Sequence, residues 1–295
     1  MTTIVRQVAP EPRLAFQALT RWYARNARPL PWRETTDPWA ILVCEIMSQQ
    51  TPVARVEPVW RAWLKRWPSP ADLAAASPAE ILIAWDRMGY PRRALRLQEA
   101  AIAIAERGAF PSTYDDLLAL PGVGPYTAAA VIAFAFGGHS VVLDTNIRRV
   151  LARWHGDALP APSQTRAELA RATSYVPDDD APAWNAAIME FGALVCTARS
   201  PQCDQCPLAA HCEWQLAGRP ADAQRHRRQA WEGTNRQARG LIMAALRRKP
   251  HSYADLLEVT GLPEARLAPA LDGVLSDGLA EHVSGEFRLP LASTP

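Results

Sequence analysis

Four of the five cysteines of this chain lie in one short segment, CTARSPQCDQCPLAAHC, which runs from Cys196 to Cys212. The spacing is C-x6-C-x2-C-x5-C, and Pro201 and Pro207 interrupt any continuous helix. The four sulfur atoms can therefore converge on one point. In a reducing cytosol such clustered thiols are metal ligands more often than disulfides. The segment predicts a metal site, and the rest of the fold has to hold a loop around it.

The composition is that of an ordinary globular protein. The chain has 295 residues, of which 48% are hydrophobic, enough for two or three compact units. We find no uninterrupted apolar stretch of about 18 residues and no signal peptide in the start MTTIVRQVAPEPR. We therefore expect a cytoplasmic protein with no membrane partner. The formal net charge of +2 is too small to indicate a nucleic-acid partner by itself.

The body of the chain has helical periodicity. Apolar residues recur at helical spacing from Leu14 to Arg25, from Trp39 to Met47, and again in ADLAAASPAEILIAWDRM and ALRLQEAAIAIAERG. Alternation typical of strands is scarce before residue 280. The sequence thus predicts an all-α fold.

The C-terminal part differs in composition. The polar and basic stretch AGRPADAQRHRRQAWEGTNRQARG predicts a linker at 218–235. Helices are expected at about 236–248, 253–259 and 263–276, followed by a two-stranded hairpin in GLAEHVSGEFRLP. This order predicts a small winged-helix-like domain at 236–295. DNA-binding and protein-docking modules share that outline, so its role stays open.

The segment LPGVGPYTAAAVIAFAFG predicts a helix-hairpin-helix. Gly122 and Gly124 would form the tight turn, and Pro125 suits the first turn of the second helix. Such a turn lets a DNA phosphate approach backbone N–H groups near the positive end of a helix. A tight interhelical turn without a ligand is the alternative.

Two carboxylates are candidates for catalysis, each with a simpler explanation. Glu45 lies within the apolar helical stretch WAILVCEIMSQQTPV, where burial would raise its pKa toward that of a general acid. Alternatively, it shares an exposed polar face with Gln49. Asp144 precedes a helix carrying Arg148 and Arg149, and aspartate is a favoured N-cap residue. The arginines fit a solvated face as well as a phosphate contact.

Taken in order, these motifs resemble a known family. They are LPWR, CEIMSQQT, RMGYPRRA, LPGVGPYTAAA, LDTNIRRVLAR and the four-cysteine segment. The resemblance covers about residues 14 to 217. The combination resembles the adenine DNA glycosylase (MutY) family of the helix-hairpin-helix (HhH-GPD) superfamily. The resemblance implies a glycosylase domain at 1–217, with a six-helix part at about 34–140. The N-terminal helix and about 141–217 would form an iron–sulfur domain.

The resemblance also implies a mechanism on extruded adenine. Glu45 aligns with the glutamate that protonates the leaving adenine at N7 and helps to activate water. Asp144 aligns with the aspartate that stabilises the positive charge growing on the sugar, either as an ion or through a transient covalent adduct. Tyr126 stands where relatives of the endonuclease III type carry a catalytic lysine. We therefore expect a monofunctional enzyme that leaves an abasic site.

Contacts with DNA follow from the same alignment. Gln50 and Tyr90 match residues that enter the base stack, although ordinary packing at helix ends would also explain them. Thr51, with Gln50, would face the opposite base, and Arg148 would meet the phosphate backbone. The hairpin residues Gly122, Val123 and Gly124 would bind a phosphate. Trp32, Arg33 and Glu190 would line the adenine pocket.

The cysteine spacing matches the [4Fe-4S] segment of the superfamily, with Cys196, Cys203, Cys206 and Cys212 as ligands. A four-thiolate zinc site is the competing interpretation. The expected partner is double-stranded DNA containing adenine opposite 8-oxoguanine or guanine. We expect a monomer associated with the nucleoid.

Two departures from the family pattern bear on function. Thr145 occupies the middle of the usual D-G-N motif. The C-terminal part is too short for the Nudix-like domain that recognises 8-oxoguanine in many members, which leaves the opposite-base preference open. Three alternatives follow: a thymine or uracil mismatch glycosylase, an endonuclease III-like enzyme, and a catalytically silent iron–sulfur protein that binds DNA.

Overall fold

A computed structural model describes residues 9–221 and 232–291 of the chain. Nearly all of its regular structure is helical, so the all-α prediction is confirmed. The α-helices are α1 (Pro12–Asn26), α2 (Pro38–Ser48), α3 (Val53–Arg66), α4 (Pro70–Ala74), α5 (Pro78–Trp85), α6 (Arg92–Arg107), α7 (Tyr114–Leu118), α8 (Pro125–Phe136), α9 (Thr145–Trp154), α10 (Arg166–Tyr175), α11 (Ala181–Leu194), α12 (Glu213–Leu216), α13 (Asn235–Leu246), α14 (Tyr253–Thr260) and α15 (Glu264–Ser276). Short 3₁₀ turns lie at Pro31–Arg33, Asp86–Met88, Cys203–Gln205 and Ala209–His211, and two strands at β1 (Glu281–Val283) and β2 (Glu286–Arg288).

Local signals explain where many of the short helices begin. Helices α4, α5, α10 and α14 each start with a capping box, in which a serine or threonine side chain accepts the N–H of the third helical residue. The acidic side chain of that residue accepts the N–H of the cap in return. Two backbone donors are thereby satisfied at each helix start. These short helices are consequently fixed by residues close in sequence.

Among the described residues, one compact unit comprises 9–38, 112–115 and 124–221. Its core is aromatic: the rings of Tyr175 and Trp184 stack with centroids 5.9 Å apart, and Trp154 packs beside both. Phe191 of α11 is buried with them and meets Trp22 of α1 edge-on. This core holds α1, α9, α10 and α11 together around the cysteine segment.

A second compact unit comprises, of the residues that the structure describes, 39–111, 116–123 and 232–291. Buried tryptophans organise it, and their indole N–H groups are satisfied by backbone carbonyls. Trp39 donates to the carbonyl of Trp67 at 3.1 Å, and Trp60 donates to that of Ala40 at 2.8 Å. Such pairing removes the cost of burying the N–H groups.

The C-terminal part, which we call the C-terminal module (235–291), has the predicted winged-helix-like order. Helices α13, α14 and α15 precede the antiparallel pair β1–β2, and His251 forms a bridge to Phe287 of β2. The module does not form its core alone, because the buried side chain of Leu82 from α5 belongs to the same apolar cluster. The N–H of Ala79 also donates to the carbonyl of Pro290 at 2.9 Å. The module therefore packs directly on α5.

The domain limits derived from the sequence remain a prediction. Grouping by contacts places α8 with the N-terminal helix and places the C-terminal module with 39–111. Most of the predicted linker, residues 222–231, lies outside the described residues. Within the described ranges, none of the helices combines the length and apolar character needed to cross a bilayer.

Candidate active site

Glu45 is buried in the middle of α2. Its side chain is 8% exposed, and the helix is buried on all sides from Trp39 to Met47. The alternative in which Glu45 lies on an exposed polar face is therefore wrong. Burying a charged carboxylate in an apolar helix costs free energy. Its neighbour Cys44 is a buried core residue, as expected.

Asp144 is the N-cap of α9, so the simpler interpretation of this residue is confirmed. Its Oδ1 accepts the N–H of Ile147 at 2.6 Å, and its Oδ2 accepts the side-chain amide of Asn146 at 2.6 Å. Burial raises the pKa of Asp144 above the usual carboxyl value, while these hydrogen bonds and Arg149 act in the opposite direction. Capping fixes the orientation of the carboxylate, which a catalytic role also requires.

Thr145 begins α9 with an exposed side chain, so the helix accommodates the D-T-N sequence. Positive φ would have made a non-glycine residue costly here, but Thr145 is not among the residues with positive φ. This departure from the family pattern leaves the cap geometry of Asp144 intact.

A buried arginine supports the cap. Arg149 donates to the side-chain oxygen of Asn146 at 2.8 Å and to the carbonyl of Gly192 at 2.7 Å. Its Nε donates to the carbonyl of Cys196 at 2.7 Å. Gly192 lets α11 approach α9 closely, since a Cβ at position 192 would lie 2.8 Å from Cβ of Asn146. A chain of hydrogen bonds thus joins Asp144 to the first cysteine of the segment, and the sequence analysis did not anticipate it.

The structure brings together Arg33 and Glu190, two of the predicted pocket residues. Glu190 is 1% exposed, and its Oε2 accepts from Arg33 at 2.8 Å. Arg28, which the sequence analysis missed, donates to Oε1 at 2.8 Å and to Oε2 at 2.6 Å. Burial alone would raise the pKa of Glu190, but the bonds from both arginines outweigh it and hold the pKa at about 2. Trp32, between these residues in sequence, is partly buried in its 3₁₀ turn.

The hairpin between α7 and α8 has two glycines with different requirements. Gly122 has φ of +75°, and a Cβ there would lie 2.8 Å from Cβ of Arg96. Gly124 is in extended backbone with no atom within 4 Å of a Cβ, so the fold itself does not require glycine there. The N–H of Val123 donates to the carbonyl of Leu120 at 3.2 Å, within the turn. Tyr126 is partly buried against a small cluster around Ala129 and Ala130 on α8.

Two loops carry the residues predicted to enter the base stack. Gln50 has φ of +54° and Tyr90 has φ of +46°, a conformation that is uncommon for side chains of this size. Both side chains are exposed, and that of Tyr90 is 46% exposed. Residues held in strained backbone tend to occur at functional sites. Their exposure argues against ordinary packing at a helix end.

Arg93 joins these two loops. Its guanidinium donates to the carbonyl of Ile46 at 2.9 Å and to the side-chain oxygen of Thr51 at 3.0 Å. It also donates to the carbonyl of Gly89 at 3.1 Å, beside Tyr90. Burial lowers the pKa of Arg93 to about 10, so the group stays charged at neutral pH. This residue lies within the motif RMGYPRRA, but its sequence gives no sign of the contacts it makes.

Arg148 is engaged in an ion pair. Its guanidinium donates to Glu168 at 2.9 Å and to the carbonyl of Ala161 at 2.7 Å. The phosphate contact expected of Arg148 stays a prediction.

The four clustered cysteines line one cavity, together with Arg153, Phe191 and Trp214. All four are free thiols. Arg153 donates to Sγ of Cys196 at 3.3 Å, and its guanidinium lies 4.5 Å from the ring centroid of Trp214. Burial raises the pKa of Cys206 to about 12 and also raises that of Cys196 and Cys212. Such thiols become thiolates when a metal supplies positive charge.

A single ion and an iron–sulfur cluster require different spacings of the four sulfur atoms. In residues 9–221 and 232–291, no three histidine, cysteine or acidic side chains are close enough to hold one metal ion. The four thiolates of a tetrahedral zinc site would all lie within about 2.3 Å of one atom. In an iron–sulfur cluster each thiolate binds a different iron, so the sulfur atoms stand farther apart.

Comparison with known proteins agrees with this geometry. Residues 43–174 match the HhH-GPD superfamily of base excision DNA repair proteins. Residues 196–212 match the iron–sulfur binding domain of endonuclease III. Adenine DNA glycosylase from Mycolicibacterium smegmatis is 48% identical, over 92% of this chain and 94% of its own length. The enzyme of that name from Mycobacterium tuberculosis H37Rv is 45% identical, over 96% and 98%. The chain belongs to the adenine DNA glycosylase family of the HhH-GPD superfamily.

Solved structures of related DNA repair enzymes share the fold of this chain. A thermostable thymine-DNA glycosylase matches with a TM-score of 0.65 and 28% identity, over 70% of this chain and 97% of that one. Endonuclease III in a non-covalent complex with DNA matches with a TM-score of 0.61 and 25% identity, over the same shares. The family member is thus a base excision repair DNA glycosylase that binds DNA. The predicted [4Fe-4S] cofactor is confirmed, and the zinc interpretation is wrong.

Proposed function

We propose that this chain is a monofunctional glycosylase that hydrolyses the N-glycosidic bond of adenine paired with 8-oxoguanine or guanine. The observation that carries the proposal is Glu45, a carboxylate buried within a fully buried apolar helix. Among the described residues the other buried glutamate, Glu190, is held by two arginines. The family match supplies the substrate class for Glu45.

In the proposed reaction Glu45 protonates N7 of an extruded adenine and so makes it a better leaving group. The bond between C1′ of the sugar and N9 of adenine then breaks. Positive charge develops on the sugar, and the fixed carboxylate of Asp144 stabilises it. Water, deprotonated with the help of Glu45, attacks C1′ and leaves an abasic site.

The monofunctional outcome rests on Tyr126. A phenol cannot form the Schiff base through which a lysine would cleave the strand. We propose that Tyr126 instead lies beside the reacting sugar, and that Arg33, Glu190 and Trp32 form part of the adenine pocket. The ion pairs of Glu190 with Arg28 and Arg33 support a role in the pocket, because they fix the orientation of both guanidinium groups.

For DNA binding we propose that Gln50 and Tyr90 enter the base stack, that Thr51 faces the opposite base, and that the hairpin at Gly122–Gly124 binds a phosphate. The exposed side chains and the positive backbone φ of Gln50 and Tyr90 support their entry into the base stack. The space beside Gly124 supports the last, because a phosphate can approach the backbone there. Arg148 would join them only if its pairing with Glu168 were exchanged for a phosphate.

We assign Cys196, Cys203, Cys206 and Cys212 as the ligands of the [4Fe-4S] cluster. When bound, the cluster supplies the positive charge that keeps the four thiols ionised. The charged groups of Arg149 and Arg153, both buried beside the segment, reduce the net negative charge of the ligated thiolates. The segment then serves as a structural support for α9, whose N-cap is Asp144.

The match to the mycobacterial relatives extends into the C-terminal module, since 92% or more of this chain is covered. This supports an adenine substrate for a chain with a short C-terminal module. We propose action as a monomer on chromosomal DNA in the cytoplasm.

The decisive experiment is single-turnover base release from labelled duplexes. The panel contains adenine opposite 8-oxoguanine, adenine opposite guanine, and thymine opposite guanine, each analysed with and without alkali. We expect release of adenine, with strand cleavage only after alkali. Release of thymine alone would favour the activity named for the structural neighbour, and cleavage without alkali would contradict the role given to Tyr126.

Glu45→Gln tests the acid. The amide cannot donate a proton to N7, so base release should fall by at least about 10²-fold while duplex affinity stays near that of the wild type. Glu106→Gln, at an exposed position of α6, is the matched control and should behave as the wild type. Undiminished turnover of Glu45→Gln would remove this residue from the mechanism.

A further inference from the structure

Two arginine side chains lie close to the ring of Tyr90. The guanidinium carbon of Arg93 is 5.7 Å from the ring centroid, and that of Arg236 is 5.6 Å from it. Arg236 also donates from Nη1 to the phenol oxygen of Tyr90 at 3.2 Å. An exposed tyrosine in strained backbone is therefore held by cation–π contacts on its ring and by a hydrogen bond at its tip.

The two arginines come from different parts of the chain. Arg93 belongs to α6 and holds the loop of Tyr90 from inside, whereas Arg236 belongs to α13 of the C-terminal module. The start of α13 is itself fixed: Arg266 of α15 donates to the carbonyl of Thr234 at 3.1 Å. Arg236 consequently reaches Tyr90 from a defined position.

A second link joins the module to the same loop. Asp277, at the end of α15, pairs with Arg92 at 3.1 Å and also with Arg239 of α13. Arg92 is two residues after Tyr90. The module is thus connected to this loop at Tyr90 and at Arg92, and not only through the apolar contact with α5.

The third helix of the module, α15, is poorly suited to reading DNA. In a helix-turn-helix this helix, here α15, would enter the major groove. It carries Glu264 and Asp272, and its one arginine, Arg266, is engaged within the module. Affinity for DNA depends on neutralising phosphates with basic side chains. The charges of α15 oppose such binding.

We propose that the C-terminal module supports Tyr90, the side chain proposed to enter the base stack. Arg236 is the residue of the module that positions Tyr90. The module holds Tyr90 in the conformation that enters the duplex before DNA arrives, which lowers the ordering cost at the moment of binding. This inference rests on the proposed role of Tyr90 in the base stack. Arg236 touches Tyr90 and not the reacting atoms.

The test compares Arg236→Ala, Tyr90→Ala and the double variant in the full-length holoenzyme. Three quantities are measured: duplex affinity, the single-turnover rate at saturating enzyme, and the fluorescence of 2-aminopurine placed next to the target base pair. We expect Arg236→Ala to slow base release by about tenfold and to reduce the fluorescence change that reports unstacking. In the Tyr90→Ala background the same change should have no further effect, because the two residues act as a pair.

Controls separate positioning from folding. Arg236→Lys keeps the cation over the ring and should restore part of the rate. Arg248→Ala removes an exposed arginine elsewhere in the module and should match the wild type. Thermal melting of each variant shows whether the module remains packed. Full activity of Arg236→Ala, or additive effects in the double variant, would overturn the inference. Failure of the wild type to release adenine would instead overturn the proposed function.

Discussion

At the scale of single residues, the observed capping role of Asp144 is compatible with the catalytic role proposed for it. The two interpretations offered by the sequence, N-cap and catalyst, are compatible because the hydrogen bonds that cap α9 also fix the carboxylate. Asn146 contributes one of those bonds. Its neighbour Arg149 connects the cap to the cysteine segment.

Asn146→Ala should move the acid limb of the pH–rate profile. Burial raises the pKa of Asp144, and the bond from Asn146 lowers it, so losing that bond raises the pKa further. Asp144 has to be ionised to stabilise positive charge, hence activity should be lost at a higher pH than in the wild type. Single-turnover rates from pH 4 to 8 measure this displacement of the acid limb toward higher pH.

Thr145→Ala serves as the neighbouring control, since this side chain is exposed and should leave the acid limb in place. An unchanged profile for Asn146→Ala would show that another group sets the acid limb.

At the scale of elements, the two glycines of the hairpin between α7 and α8 differ in whether the fold requires them. Gly122 needs its positive φ and its closeness to Arg96, whereas the backbone of Gly124 suits any residue. Glycine at the second position has no structural reason within the described residues. An approaching phosphate would provide one.

Gly122→Ala and Gly124→Ala should therefore affect different properties, the first stability and the second duplex binding. Gly122→Ala should lower the free energy of unfolding by about 1–2 kcal/mol through strain at positive φ. Gly124→Ala should leave stability unchanged or raise it by about 0.4–1 kcal/mol, yet weaken duplex binding. Denaturant unfolding and titration of one duplex on both variants distinguish these effects. Equal affinity for DNA in Gly124→Ala and the wild type would remove this turn from the interface.

At the scale of the whole molecule, the C-terminal module is joined to α5 by a common core. Leu82 is fully buried in that core, and Arg247 of α13 donates to its carbonyl at 2.9 Å. The sequence predicted a separate domain after a linker, and the observed packing shows why the module cannot be treated as independent. Removing it would expose apolar surface on α5 and α6.

A chain ending at residue 221 should be less stable than the full chain. Exposure of Leu82 and its neighbours costs about 2 kcal/mol, which corresponds to a fall of about 4–8 °C in Tm. Thermal melting and binding of a hydrophobic dye measure both consequences. A full-length Leu291→Ser variant, altered at an exposed apolar residue, is the control. A truncated chain with unchanged Tm and no dye binding would show that the shared core contributes little.

Much of the fold was predictable because its signals are local. The helices of the C-terminal module lie within about two residues of their predicted limits, since caps and glycines mark their ends. Less of the candidate site could be predicted from the sequence. Burial of Glu45 could be expected from its apolar helix, but Arg28 pairs with Glu190 across 162 positions of sequence. No local pattern distinguishes Arg28 from an exposed arginine.

The sequence by itself determined the helical class, the convergence of four cysteines, the tight turn at Gly122 and the cap at Asp144. Each of these depends on dihedral preferences or hydrogen bonds between residues a few positions apart. Only the tertiary structure decided what these arginines hold: Arg93 lies between two loops, Arg149 beside Asn146, and Arg236 on Tyr90. A guanidinium group gains its partner when distant segments pack together, and that proximity is not encoded in local spacing.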